Sequence, residues 1–198
     1  MKWDKGSWVA FDGAHTVFAH KAKYHELHAF DTGGDTWLRT PARTGMPMQG
    51  TNGRKKSKDG GSGTHYAGAL YALKGGNSQE FWRYRIQSDS WQELDTMPAF
   101  GSSGRRKKVK AGGDITSFGN GAFFALKGTT TVEFWRHVMY YVAALPPVER
   151  EGVAAERSVI GDWQLAIAPN PVVSGFATLS FTGPLESSNP RILHSVFD

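Results

Sequence analysis

Three groups of side chains in this 198-residue sequence have the types and spacing to do chemistry. The first is a pair of basic runs, Arg54-Lys55-Lys56-Ser57-Lys58 and Arg105-Arg106-Lys107-Lys108-Val109-Lys110, which carry much of a net charge of +5. Lys107 follows Lys55 by 52 residues, and each run stands just before a Gly-Gly pair. Clustered ammonium and guanidinium groups suit acidic glycans, phosphates or anionic surfaces, and they equally suit solvated loops. The second group is Glu80-Phe81-Trp82-Arg83-Tyr84, echoed by Glu133-Phe134-Trp135-Arg136. An arginine beside an aromatic platform can stack on a sugar or a base. Glu80 and Glu133 resemble a carboxylate pair, yet their equivalent places point to a structural salt bridge or an edge contact. The third group is seven histidines, mostly early in the chain. They show none of the convergent spacing that a metal site requires. No Gly-x-Ser-x-Gly, His-Glu-x-x-His or phosphate-loop motif is present, and no cysteine is available as nucleophile, disulfide or thiolate ligand. No catalytic residue, metal or cofactor is expected.

The elements that must position these groups follow from a repeat. Ala72-Leu73-Lys74-Gly75 returns as Ala125-Leu126-Lys127-Gly128, and Glu80 to Arg83 returns as Glu133 to Arg136, both 53 residues later. A fainter copy, Ala19-His20-Lys21, lies 53 residues upstream, and Phe30 to Trp37 parallels Tyr84 to Trp91 after a one-residue slip. A fixed period near 50 marks a repeat architecture. Repeats are expected over 5–50, 53–100 and 104–147. The 24 glycines and many aromatics suit short strands joined by tight turns. Four strands per repeat are expected, with Gly60-Gly61, 69–73, 81–86 and 91–94 as those of the second. Strand alternation puts Trp82 and Tyr84 on one face and Phe81 and Arg83 on the other. Such periodic aromatics are read first as packing between repeats. The charged stretch 148–162 reads as a linker, and 163–198 as the opening strands of a small β-sandwich. No apolar run reaches the length of a membrane span, and no signal peptide opens the sequence.

Gly68-x-Leu-Tyr-Ala-Leu-Lys-Gly, followed by Phe-Trp-Arg-Tyr, Asp89-Ser-Trp91 and Met97-Pro98, resembles the kelch repeat. The resemblance implies an all-β fold of propeller blades, in which the Tyr84 and Trp91 positions pack between blades and the Gly75 and Gly128 positions permit close turns. Lys74 and Lys127 replace the first glycine of the family's pair. The third repeat lacks the Asp-Ser-Trp turn. Three blades are fewer than a closed ring uses, so the ring is incomplete or closes with further sequence or with another chain. Some kelch-type propellers are copper oxidases, but their radical site needs a cysteine. Pro169-Asn-Pro171 with Phe176 to Phe181 resembles the C-terminal sorting domain of bacterial type IX secretion cargo, an immunoglobulin-like sandwich. It implies a secreted or cell-surface protein that engages secretion machinery.

The functional expectation is a non-catalytic module that binds a protein or glycan, preferably acidic, through propeller loops. Its candidate ligand-binding residues are Arg54, Lys55, Lys56, Lys58, Arg105, Arg106, Lys107, Lys108 and Lys110. Lys74, Gly75, Glu80, Trp82, Arg83, Tyr84, Trp91, Lys127, Gly128, Glu133, Trp135 and Arg136 are expected to be structural. Two alternatives are a self-assembling repeat protein forming a ring or filament, and a piece of a polysaccharide-acting enzyme. Nucleic acid ranks below these as a ligand.

Overall fold

A computed structural model describes residues 2–101, 104–141 and 159–166. Every helix or strand among them is a strand, so the fold is all-β. β1 (Trp8–Phe11), β2 (Thr16–Lys21), β3 (Glu26–Asp31) and β4 (Thr36–Arg43) form an antiparallel meander. A short hairpin follows, β5 (Gln49–Gly50) with β6 (Gly53–Arg54). The second meander comprises β7 (Ser62–Tyr66), β8 (Ala69–Leu73), β9 (Phe81–Arg85) and β10 (Ser90–Glu93). The third comprises β11 (Asp114–Gly119), β12 (Ala122–Leu126), β13 (Phe134–Tyr141) and β14 (Val159–Ala166). Local chemistry sets the turns. The Asp12 carboxylate accepts from the backbone N–H groups of Ala14, His15 and Thr16, closing the β1–β2 connection. Ala67-Gly68 and Asn120-Gly121 make the two-residue hairpins of the other meanders, all four with positive φ.

The strands fall where the repeats place them, with two corrections. Gly60-Gly61 is a turn before β7, not a strand, because its backbone is committed to closing that turn. The boundary expected at 162/163 falls inside β14, which pairs with β13 from Phe134↔Ala166 to Tyr141↔Val159. The end of the expected linker and the start of the expected sandwich are thus the fourth strand of the third sheet. The missing Asp-Ser-Trp turn acquires an explanation. Trp163 stands opposite His137 in register, as Trp91 stands opposite Tyr84, and His137 is the 53-residue equivalent of Tyr84. The rest of the expected linker and sandwich lies outside the described residues.

The second sheet is buried on both faces. Leu70, Ala72, Trp82 and Tyr84 meet Trp8, Ala10, Phe18, Leu27 and Ala29 of the first sheet. Ala69, Tyr71, Leu73 and Phe81 meet Ile115, Phe123, Ala125, Trp135 and Met139 of the third. Two-sided burial explains the unbroken apolar run of β8, which carries no polar face. Trp82 and Tyr84 do share one face and Phe81 the other. Arg83, on the Phe81 side, donates to the Gln92 side-chain oxygen at 2.6 Å. Arg136, its equivalent, is exposed.

Between sheets lies a repeated polar unit. The Lys74 ammonium and Glu80 carboxylate are fully buried, 2.6 Å apart. Trp82 Nε1 donates to the same carboxylate oxygen at 3.1 Å, and Lys74 also donates to the Met48 carbonyl at 2.7 Å. The other carboxylate oxygen accepts from Asn52 N–H at 3.2 Å. Lys127, Glu133 and Trp135 repeat the ion pair and the indole bond. Lys74 and Lys127 also lie 5.3 and 4.7 Å from the ring centroids of Trp82 and Trp135. Gly50 and Gly101 close over the two carboxylates so tightly that an added Cβ would stand 2.4 and 2.3 Å from carboxylate atoms of Glu80 and Glu133. The expected structural salt bridge is therefore present in both repeats, and the repeated lysine is the partner of the repeated glutamate.

Removing one member of this unit strands its partner in a dry interior, which costs about 3–5 kcal/mol. Glu80→Gln and Lys74→Met should each lower the unfolding free energy by that order, read as a fall in the denaturant midpoint. The Lys74→Met/Glu80→Leu double variant should lose less than the sum of the two singles, as read in a double-mutant cycle by urea melts.

Candidate anion-binding site

The basic runs lie in the two connections between sheets, residues 44–61 and 94–113. Each connection is tied down by its backbone. Lys58 N–H donates to the Lys74 carbonyl and Lys110 N–H to the Lys127 carbonyl, both at 3.3 Å. Lys23 N–H donates to the Ser57 carbonyl at 2.9 Å, and Asn77 N–H to the Val109 carbonyl at 3.0 Å. Each run then ends in the same turn. Gly61 N–H bonds the Lys58 carbonyl and Gly113 N–H the Lys110 carbonyl, each at 2.8 Å. Gly60 and Gly112 hold φ of 81° at the third turn position, where a type II turn needs the left-handed region.

A third copy of the turn precedes β1, with Ser7 N–H on the Asp4 carbonyl at 3.0 Å and Gly6 at φ 88°. The three turns stack. A Cβ added to Gly6 would overlap the Lys58 carbonyl, and one added to Gly60 would overlap the Lys110 carbonyl, each at 1.9 Å. They sit at the heads of β1, β7 and β11, where β7 lies beside both of the others. There they surround an open cavity of about 540 Å³, lined by Asp4, Lys5, Lys23, Lys58, Asp59, Gly76, Asn77 and Lys110. Four lysines against two aspartates leave it positive. Lys23 pairs with Asp4 at 3.0 Å, and that contact lowers the Asp4 carboxyl and raises the Lys23 ammonium. Among the described residues neither Lys58 nor Lys110 has an ion-pair partner.

The other predicted cations divide by position. Lys55 donates to the Asn77 carbonyl at 2.8 Å, and Lys108 reaches the Asn52 side-chain oxygen at 3.4 Å. Burial, then the nearby Lys55 and Arg106 charges, lowers the Lys108 ammonium, so the two runs share one electrostatic neighbourhood. Arg54 and Lys56 are exposed near enough to His25 to contribute to lowering its pKa, after burial, which is the main cause. Arg105 is exposed, and Lys107 is half-buried where its N–H bonds the Ala99 carbonyl. None of these seven lines the cavity. Lys5 and Lys23, which do, were not among the expected residues. Carrying the period upstream with a one-residue slip, from Asp59-Gly60 to Lys5-Gly6, would have found the first; Lys23 had no signal in the sequence.

The aromatic platform does not survive as a site, since Trp82, Tyr84 and Trp135 are buried between sheets. A second cavity of about 270 Å³ carries Glu93 and Asp95 and suits anions poorly. Among the described residues no group of three or more acidic, histidine or cysteine side chains is placed to hold a metal ion, and no helix is long and apolar enough to cross a membrane. No protein-family model matches this chain, and no curated protein matches it.

Ser57, inside the first basic run, is anchored from below by His20. The ring stacks on Trp8 at 5.2 Å between centroids, and Nε2 lies 3.0 Å from the serine hydroxyl. Burial, followed by the His25 and His28 charges, pushes the His20 pKa down to about 3. The folded state thus keeps this ring neutral, while the unfolded chain protonates it below its ordinary value near 6.5. Stability should fall as pH drops from about 6.5 toward 3, by roughly 2 kcal/mol at pH 5 from this group alone. His25 and His65, also lowered chiefly by burial, add in the same direction. Chemical denaturation of the wild type and His20→Asn at about pH 7 and pH 5 should show a clearly shallower pH slope in the variant.

Proposed function

We propose that this chain is a non-catalytic binding module of kelch-like propeller blades whose loop face holds an acidic ligand, a sulfated or carboxylated glycan or an acidic protein segment. The observation that carries the reading is the stack of three equivalent turns, which gathers Lys5, Lys58 and Lys110, with Lys23, around one positive cavity. The sheets support the propeller reading through their four-stranded meanders and through the passage of each connection into the next sheet's first strand. Loops on such a scaffold are where binding is usually placed. A secreted or cell-surface setting, with export through the C-terminal segment, is proposed on the resemblance of residues 169–181 to sorting domains.

Heparin oligosaccharide is a suitable probe, followed by calorimetry across a salt series. The wild type should bind with affinity that falls as salt rises. Lys58→Ala/Lys110→Ala should weaken binding by roughly tenfold, about 1.4 kcal/mol, and flatten the salt dependence. Arg105→Ala/Lys107→Ala, outside the cavity, should change it by much less. Equal losses in the two double variants, or binding to duplex DNA as tight as to heparin, would remove the cavity from the explanation.

A further inference from the structure

We infer that the two end faces of the three-sheet stack are complementary, and that a second copy of this chain docks its first sheet onto the third sheet of the first copy, closing a head-to-tail pair. Each inter-sheet contact uses the same two faces. The trailing face of the first sheet presents Phe18 and Leu27, and that of the second presents Tyr71, Leu73 and Phe81. In the third sheet the 53-residue equivalents are Phe124, Leu126 and Phe134. Tyr71, Leu73 and Phe81 are 2%, 0% and 0% exposed beneath the following sheet, whereas Leu126 is 46% exposed and Phe118, beside Phe124, 77%. Phe118, Phe124 and Phe134 already form an aromatic row, with ring centroids 5.9 and 5.4 Å apart. The row has the chemistry of a buried face, and among the described residues no layer lies over it.

The leading face of the first sheet is its counterpart. Val17, His28, Phe30 and Trp37 occupy the places of Leu70, Trp82, Tyr84 and Trp91. In the second sheet Trp91 Nε1 donates to the Thr44 carbonyl of the preceding connection at 2.7 Å; Trp37 is 49% exposed. The polar unit confirms the vacancy independently. Lys21, Glu26 and His28 reproduce it in the first sheet, with the His28 ring nitrogen 3.0 Å from the carboxylate in place of an indole. Their side chains are 10%, 35% and 42% exposed, against 0% for Lys74 and Glu80. The difference is the preceding connection, since Met48, Gly50 and Asn52 seal the inner unit, whereas the outer one has only the half-exposed rings of Trp3 and Tyr24, 5.9 and 5.0 Å from Lys21 Nζ, and its carboxylate stays open to solvent. What covers a trailing face in this molecule, twice over, is the leading face of the next sheet. Among the described residues the first sheet holds the uncovered one, so a second copy supplies the matching layer. A heterologous contact of this kind either closes or polymerises. Two copies bring six sheets, within the four to eight of a propeller ring; that closure rests on the propeller reading, while the docking does not.

Light scattering on a sizing column, over a range of concentrations, reads the outcome. The wild type should elute as a discrete species of twice the 21.7 kDa chain mass. Leu126→Asp and Trp37→Asp alter exposed side chains on opposite end faces, and each alone should yield monomer with unchanged circular dichroism. Mixing the two should restore a dimer through the one intact pair of faces; Phe118→Asp replaces Leu126→Asp if the latter misfolds. A wild type that stays monomeric, a single variant that stays dimeric, or a species that grows with concentration overturns the closed head-to-tail pair.

Discussion

The interaction on which the described structure depends is the buried contact among Lys74, Glu80 and Trp82 and its copy at Lys127, Glu133 and Trp135. Taking an ammonium and a carboxylate out of water costs several kcal/mol per ion, which their attraction offsets only when every remaining donor and acceptor is engaged. Around Glu80 that condition is met by three donors of different origin. One oxygen receives Lys74 and the Trp82 indole, and the other the Asn52 amide, while Lys74 spends a further proton on the Met48 carbonyl. Lys74, Glu80 and Trp82 belong to the second sheet and its β8–β9 connection, whereas Met48 and Asn52 belong to the chain arriving from the first. The ion pair is satisfied only when two successive sheets are together. It therefore specifies the order and the register of the stack, a task that apolar packing alone performs less selectively.

From this unit the differences among the three sheets follow. Where a preceding connection covers it, lysine and glutamate are fully buried and tryptophan supplies the N–H. At the first sheet, where none does, the histidine that replaces tryptophan and the partial exposure of Glu26 are tolerable, because water can complete the coordination. The burial of β8 on both faces belongs to the same picture. Its five residues are all apolar and neither face sees solvent, while β12, its counterpart in the third sheet, is as apolar and leaves Leu126 exposed. Position in the repeat, more than a strand's actual exposure, goes with the residues it carries.

The sequence made the strands legible because the period is written twice in residues that cannot be mistaken, Ala-Leu-Lys-Gly and Glu-Phe-Trp-Arg. It also made the roles of Glu80 and Glu133 legible, since equivalent positions in a repeat seldom form one site. What it hid was non-local. β14 reaches the third sheet after a connection much longer than the other strand-to-strand turns, and no short-range pattern links Trp163 to His137. The cavity was hidden for a related reason. Lys5 and Lys23 are isolated cations in the sequence, and only the stacking of three turns puts them beside Lys58 and Lys110. The basic runs marked the two connections that reach the cavity, but seven of the nine cations lie outside its lining.

On the proposed binding reading the two connections do two jobs with different atoms, and this separation would allow a binding face on so constrained a scaffold. Their backbones are committed. Lys58 and Lys110 give their N–H groups to the neighbouring strand ends and their carbonyls to the turns. Their ammonium groups take no part in that framework, and both side chains are exposed. A lysine there contributes little to holding the sheets together, so its charge can be exchanged at small cost to stability. The buried Lys74 and Lys127 are the opposite case, with ammonium groups that hold the stack and no access to a ligand. Two lysines, one turn apart in space and bonded through the same backbone link, thus divide architecture from recognition. Variation in the outer lysine retunes the face, while the inner one fixes where that face stands.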